Sequence, residues 1–309
     1  MSVALYLPLL VSVALTLAAP PVGRRIPPRA AAWAMACAAL VAAGTWATEL
    51  AILAFTVVGQ IPFVAAQGPW SVGALRADDP VSRQLAVVCA GVTLCVVVSV
   101  MVASWRRGCV LVGAWRECRR LPAAGDLAVV DDPMPSAYAL PGVPGRIVVS
   151  SGMLRLLDAR ERAALLAHER SHLRNRHHLF LLVLHLATAV NPLLRPVAGA
   201  GTFAVERWAD EDAGSVVADR SLVARAVARS ALAMGGARPG MLAASGGPVP
   251  RRVQALLSPP VPHRSMVVAT LAVLAVACCV SLALAAHDTE ALFEAAMRAY
   301  AAAGHPHPR

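Results

Sequence analysis

Long runs of apolar residues separated by short polar segments are the dominant pattern of this chain. About twenty apolar residues are enough to cross the hydrocarbon core of a bilayer as a helix. Runs of this kind cover residues 3–19, 30–58, 85–104 and 266–286. The first has no basic segment before it, which favours a retained span over a cleaved signal peptide. The pattern predicts three transmembrane helices in residues 1–104, a more polar domain over 105–265, a fourth transmembrane helix over 266–286 and a short tail over 287–309.

The arginines predict how these spans are oriented. Arginine-rich segments follow the first and third predicted spans and precede the fourth, whereas the loop between the second and third spans has balanced charges. Positively charged loops stay in the cytoplasm. We therefore expect a multi-pass protein of the cell membrane, with both termini outside and the 105–265 domain in the cytoplasm. The lipid bilayer is then a partner of the chain.

Composition agrees with a membrane protein. Of the 309 residues, 58% are hydrophobic and 15% are charged, against about 45–50% and 25% in soluble domains. The net charge of +10 comes from arginine alone, since the chain has no lysine. Because these arginines cluster at the ends of apolar runs, they indicate membrane orientation, and we expect no direct nucleic-acid binding. Most of the 7 cysteines lie within apolar runs without a C-x-x-C pair, which argues against a cysteine metal site.

Two apolar segments contain an ionisable residue. Glu49 lies within the second predicted span, where a carboxyl group is either functional or a structural group bonded to a neighbouring helix. His185 lies in residues 179–194, an apolar stretch too short to span a membrane. We predict that this stretch is a core or interfacial helix and that His185 is a packed core histidine.

The strongest chemical signal is an H-E-x-x-H pattern in a segment with good helix-forming residues. Asp158 and Glu161 have the spacing of a capping box, which predicts that a helix begins there. His168 and His172 are four residues apart, so a helix presents both imidazoles on one face, as two ligands of one zinc ion require. Glu169 lies beside them, placed to act on a water molecule without taking a ligand position. The alternative is a surface helix that happens to carry two histidines.

A third metal ligand is expected downstream. Glu206 and Asp210 are one helical turn apart, so they share a face. Glu206 can supply an oxygen ligand, and Asp210 can orient a ligating imidazole. Glu211 points away from this face and is expected to be solvated. An E-x-x-x-D pair alone is also common on solvated helix surfaces.

Short β-branched runs over residues 127–131 and 146–150, separated by turn residues, predict a small sheet ahead of the histidine helix. Together with the helices that follow, they make the 105–265 domain an α+β domain.

Several segments in order resemble the membrane zinc metallopeptidases of the BlaR/MecR antirepressor type, which are distantly similar to HtpX-type membrane peptidases. These segments are PSAYALPG with RIVVSSGML over residues 135–154, LLAHERSH, ERWAD, and RRVQALLSP over residues 251–259. The resemblance implies a zincin-like cytoplasmic metallopeptidase domain. It implies Zn²⁺ on His168, His172 and Glu206, with Glu169 as the catalytic base and Asp210 supporting the ligands.

The same resemblance implies that Ala137, Tyr138 and Arg252 line a substrate cleft, and that the substrate is a protein such as a transcriptional repressor. Members of that family that sense β-lactams carry a penicillin-binding domain after the last span. Residues 287–309 contain no S-x-x-K motif, so we expect no covalent antibiotic sensing by this segment.

Taken together, the sequence predicts a membrane-bound zinc endopeptidase that cleaves a cytoplasmic protein. Two alternatives stay open. One is a quality-control metallopeptidase with misfolded membrane substrates, and the other is a non-catalytic signalling or scaffold protein that keeps the metal helix as structure.

Overall fold

The computed structural model describes residues 10, 13–14, 16–18, 21–78, 83–122, 124–235, 248–262 and 265–303. These residues are mostly helical, with one small sheet. The strands are β1 (Leu127–Val130), β2 (Ala137–Leu140) and β3 (Arg146–Ser150). The helices are α1 (Pro28–Val58), α2 (Pro62–Ala65), α3 (Val72–Asp78), α4 (Arg83–Arg120), α5 (Ser151–Leu156), α6 (Ala159–Arg174), α7 (His177–Val190), α8 (Arg195–Val217), α9 (Arg220–Gly235), α10 (Pro248–Leu257) and α11 (Ser265–Ala302).

Two helices in the described part of the chain are long and apolar enough to cross a membrane. They are Pro28–Ala54 in α1 and Gln84–Arg120, which makes up nearly all of α4. They coincide with the second and third predicted spans. The first predicted span, residues 3–19, lies largely outside the described residues, and the fourth, residues 266–286, falls within α11. Those two spans, the orientation and the cytoplasmic placement stay predictions.

Helix α4 is longer than the predicted span that it contains. It continues to Arg120, whereas the sequence predicted that the span ends at residue 104. The charged residues after 104 do not stop a helix, and the first proline beyond them is Pro122. The change from apolar to basic sequence therefore falls within one continuous helix.

The predicted small sheet is confirmed. Its strand order is β1–β3–β2, with β1 parallel and β2 antiparallel to β3. The central strand β3 is buried, and Ile147 and Val149 are fully enclosed. Strand β2, which carries Ala137 and Tyr138, lies at one edge of this sheet.

Helix α8 is the central element of the domain core. One face packs against α1 and α7 through Ala204, Val205 and Trp208, and its later turns contact α6 and α9 around Ala213. Gly201 allows the close approach to α7, because a Cβ atom there would lie 2.6 Å from Leu184 Cδ1. The helix that carries the acidic residues is thus held between the apolar helices and the histidine helix.

The apolar stretch after the histidines forms α7, which ends before a 3₁₀ turn at Pro192–Leu194. Its length is too short to cross a membrane, as predicted. The prediction for His185 was wrong, because this side chain is exposed. Helix α7 buries the face that carries Phe180, Leu184 and Ala187, and a residue one position after Leu184 points about 100° away from it.

Glu49 is buried on α1. It does not belong to the potential metal-binding group found among the described residues.

Candidate metal centre

Helix α6 begins at the predicted capping box. The Asp158 carboxylate accepts a hydrogen bond from the Glu161 backbone N–H at 2.9 Å, and the Glu161 carboxylate accepts one from the Asp158 N–H at 3.1 Å. The cap fixes where the helix starts and therefore which face carries each later residue. His168 and His172 lie on one face, with their Nε2 atoms 3.1 Å apart.

Helix α8 brings Glu206 to the same point. Its two carboxylate oxygens lie 3.8 Å from His168 Nε2 and 3.7 Å from His172 Nε2. The ligand atoms of these three residues all lie within 4.8 Å of one another. The three residues that the sequence predicted as metal ligands therefore converge, although they come from two helices.

The arrangement fits a divalent metal such as zinc. Bonds from zinc to nitrogen or oxygen are roughly 2.0–2.2 Å long, so two ligand atoms of one ion lie at most about 4.4 Å apart. The two Nε2 atoms are 3.1 Å apart, and each lies within this limit of a different Glu206 oxygen, 3.8 Å for His168 and 3.7 Å for His172. A carboxylate that binds the ion through both oxygens therefore meets the limit. Two imidazoles and one carboxylate are also a donor set found in zinc hydrolases.

Asp210 lies directly behind His168, as its position one turn after Glu206 predicted. Its Oδ1 is 3.0 Å from His168 Nδ1, and its side chain is almost completely buried. Burial alone would raise the pKa of Asp210, but the hydrogen bonds from Arg252 and the close contact with His168 lower it to about 2. Asp210 is therefore a carboxylate at neutral pH. Burial likewise opposes protonation of His168, yet contact with Asp210 raises its pKa overall.

Arg252 connects the two carboxylates. Its Nε and Nη2 donate to Asp210 at 2.8 and 2.6 Å, and its Nη1 lies 2.8 Å from Glu206 Oε2. The guanidinium is held on α10, which the chain reaches after residues 236–247. The sequence placed Arg252 at the substrate cleft, and it does lie on the cavity wall. Its contacts are nevertheless with Glu206 and Asp210, which it holds in place.

Glu169 is buried beside the ligands. Burial raises its pKa, an effect that the charge of His168 partly opposes. A carboxylate with a raised pKa is better matched to taking and returning a proton near neutral pH than an ordinary glutamate.

A cavity of about 380 Å³ opens onto the candidate centre. His168, Glu169, His172 and Glu206 lie on its wall together with Arg252. The edge strand β2 forms another wall, and helix α9 a further one.

The predicted cleft residues Ala137 and Tyr138 lie on the β2 wall of this cavity. Tyr138 is partly exposed, and its hydroxyl donates to Glu117 at 3.0 Å. The role of these residues in substrate binding stays a prediction.

The sequence analysis missed His177. This side chain has no exposed surface, and its Nδ1 lies 3.0 Å from His172 Nδ1. Burial, followed by the neighbouring His172, lowers the pKa of His177 to about 3, and burial lowers that of His172 to about 3 as well. Helical periodicity could not reveal this contact, because Arg176 has a positive φ of 51° that breaks the helix before His177. The five-residue spacing of His172 and His177 was the only available signal.

The other acidic residues of α8 have separate roles. Glu211 forms an ion pair with Arg220 at 2.6 Å and keeps 26% of its side chain exposed, so it is partly solvated, and it is also paired. Asp212 Oδ2 accepts from Ser171 at 2.6 Å, from Arg174 at 2.8 Å and from Asn175 at 2.9 Å. Asp212 therefore ties α8 to the end of the histidine helix.

Comparison with known proteins supports the interpretation of this group as a metallopeptidase site. Residues 117–234 match the model of peptidase family M48. The match supports a metallopeptidase, and thus a hydrolase that acts on protein substrates. It includes the two histidines, Glu169, Glu206 and Asp210, whereas Arg252 lies outside the matched residues. It does not distinguish the BlaR/MecR type from the HtpX type. No curated protein and no solved structure matches the chain.

Proposed function

We propose that this protein is a membrane-bound zinc endopeptidase. The observation that carries the proposal is the convergence of His168, His172 and Glu206 on one point, with Glu169 on the same cavity wall. The M48 match agrees with a metallopeptidase. The apolar helices α1 and α4 agree with attachment to a membrane.

Each residue has a distinct part in the proposed reaction. Zinc held by His168, His172 and Glu206 would supply a Lewis acid that makes a water molecule more acidic and polarises a peptide carbonyl. Glu169 takes the proton from the attacking water and delivers it to the leaving amine. Asp210 and Arg252 hold the ligand side chains in position, since each contacts at least one of them within 3.0 Å.

Strand β2 suggests how a peptide substrate would bind. An edge strand offers unpaired backbone N–H and C=O groups, with which an extended peptide can pair. Strand β2 is such an edge and forms one wall of the cavity. We propose that substrate lies along Ala137 and Tyr138 in extended form, with its scissile bond near Glu169.

The arginine distribution favours a cytoplasmic catalytic domain. The resemblance to antirepressor peptidases then favours a cytoplasmic transcriptional repressor as the substrate. In this proposal, cleavage of the repressor releases the genes that it represses.

A variant that keeps the metal and loses the base tests the reaction. Glu169→Gln removes the proton acceptor and no ligand, so purified protein should retain zinc and lose about 10²–10⁴-fold in peptide cleavage. Glu290→Gln, which changes an exposed carboxylate on α11, serves as the matched control and should cleave normally. Near-normal cleavage by Glu169→Gln would show that Glu169 is not the base.

The substrate is tested in cells. Proteome comparison of cells that express the wild type or Glu169→Gln should show one intact repressor accumulating only with the variant. Accumulation of many misfolded membrane proteins instead would indicate a quality-control peptidase.

A further inference from the structure

We infer that His177 is a positioning residue that fixes the tautomer and orientation of the metal ligand His172. The inference rests on the proposed metal site and goes beyond it. It assigns a role to a residue that lies outside the H-E-x-x-H pattern and contacts only one of its two histidines by hydrogen-bond distance.

The contact uses the ring nitrogen of His172 that faces away from the metal position. His172 Nε2 faces His168 Nε2 at 3.1 Å and Glu206 at 3.7 Å, whereas its Nδ1 faces His177 Nδ1 at 3.0 Å. Nε2 of His172 therefore faces the metal position, and Nδ1 faces His177. A ligating imidazole commonly donates its second N–H to a protein acceptor, which fixes the ring.

The position of one proton follows from this geometry. A neutral imidazole carries its proton on one nitrogen only. If His172 offers the Nε2 lone pair to a metal, its proton lies on Nδ1, and His177 Nδ1 must accept it. His177 then carries its own proton on Nε2. The reverse direction would place the His172 proton on Nε2 and block that ligand.

The surroundings of His177 offer its ring few hydrogen-bond partners other than His172. Its side chain is fully buried, and its ring lies 4.7 Å from that of Trp208 and 6.3 Å from that of Phe180, measured between centroids. Among the described residues its Nε2 has no hydrogen-bond partner. A buried polar atom without a partner is costly, so His177 is not explained as an ordinary core residue. Its one polar contact of hydrogen-bond length within the described chain is with His172.

The two proposed ligand histidines thus differ in the group that contacts their Nδ1 atom. His168 Nδ1 faces the Asp210 carboxylate at 3.0 Å, whereas His172 Nδ1 faces a second imidazole. A neutral acceptor at His172 adds no negative charge to a buried site that already contains Glu169, Glu206 and Asp210.

Two substitutions of similar shape distinguish a positioning role of His177 from a role in packing alone. His177→Asn retains an acceptor close to the position of Nδ1, whereas His177→Leu has a similar branched shape and no acceptor. If His177 only fills space, the apolar leucine should be tolerated at least as well as a buried amide. If His177 positions His172, asparagine should preserve the metal site and leucine should not.

The readouts are the zinc dissociation constant, measured by competition with a chelator, and the absorption spectrum of the Co²⁺-substituted full-length protein. We expect His177→Leu to weaken zinc binding by about 10–100-fold and to alter the Co²⁺ spectrum. His177→Asn should remain close to the wild type in both. His185→Leu, on the exposed side of the same helix, is the matched control and should change neither.

Equal zinc affinity in all three His177 forms would overturn the inference and leave the proposed peptidase intact. A wild-type protein that binds no stoichiometric divalent metal would instead remove both. A measurement on the wild type does not depend on whether the variants fold. ¹⁵N NMR of the histidine rings in the zinc-loaded protein should show His177 protonated on Nε2, and protonation on Nδ1 would contradict the inference.

Discussion

Helix α4 and the pair α6–α8 distribute polar and apolar groups in opposite ways. Only 11% of the most apolar part of α4 lies inside the protein, and large side chains such as Leu94, Met101 and Trp105 are exposed. In α6 and α8 the charged and polar groups His168, Glu169 and Asp210 are buried. The first region leaves its apolar surface outside, and the second keeps its charges inside.

The two distributions are those expected of different surroundings. Exposed valine, leucine and tryptophan are favourable next to lipid and unfavourable in water. Buried carboxylates are costly unless they are paired, and here Arg252 contacts both Glu206 and Asp210. The first arrangement is the one expected of a helix in contact with lipid, and the second is the one expected of a metal-binding group.

The largest expected effect is on the metal site. Glu206→Ala removes a ligand and leaves Arg252 with one fewer partner, so purified protein should contain almost no zinc. Asp210→Ala retains all three ligands and should lose about 10–100-fold in metal affinity or activity. Glu211→Ala is the matched control, because Glu211 pairs with Arg220 and not with the ligands. It should retain zinc, although loss of that ion pair will lower the melting temperature.

Zinc content by elemental analysis, together with peptide cleavage, establishes this order. If Glu211→Ala loses the metal while Glu206→Ala retains it, the assignment of the third ligand is wrong.

The next effect concerns the apolar surface of α4. Leu94 lies near the middle of the apolar part of this helix and is 64% exposed. An aspartate at the centre of a spanning helix costs about 2.5–3.5 kcal/mol, so Leu94→Asp should reduce the fraction of protein integrated in membranes. Leu94→Val is the conservative control. Alkaline extraction of membranes measures the integrated fraction, and unchanged integration of Leu94→Asp would show that this face does not contact lipid.

A smaller effect is expected at the junction of the two catalytic helices. Asp212→Ala removes the acceptor shared by Ser171, Arg174 and Asn175. A hydrogen bond to a charged group contributes about 1.5–3 kcal/mol, so the free energy of unfolding should fall by an amount in that range. Asp212→Asn keeps an oxygen acceptor and should lose less. Denaturant unfolding in detergent measures the free energy of unfolding of both variants. A greater decrease for Asp212→Asn than for Asp212→Ala would contradict this role of Asp212.

Local patterns in the sequence predicted much of the site. The capping box at Asp158 and Glu161 and the spacing of His168 and His172 depend only on one helix, so they could be predicted from the chain. The same holds for Glu206 and Asp210 on α8. That both helices face one another was expected from chemistry, since one metal needs three ligands. The structure supplies the packing of α6 on α8 through Ala164, Ala167 and Ala213 and through the hydrogen bond from Ser171 to Asp212.

Contacts between distant or irregular segments could not be predicted in this way. His177 reaches His172 only because the backbone at Arg176 takes a left-handed conformation. Arg252 reaches Asp210 from a helix 42 positions further along the chain. His185 was placed in the core because its neighbours are apolar, yet the rotation of α7 exposes it. Each of these depends on how segments pack against one another in the folded chain.

X-ray absorption at the zinc edge of the purified wild-type protein tests the central claim most directly. The account predicts one zinc per chain, with nitrogen and oxygen neighbours at roughly 2.0–2.2 Å and the scattering pattern of two imidazoles, from His168 and His172. A sulfur neighbour at about 2.3 Å, fewer than two imidazoles, or the absence of stoichiometric zinc would contradict it.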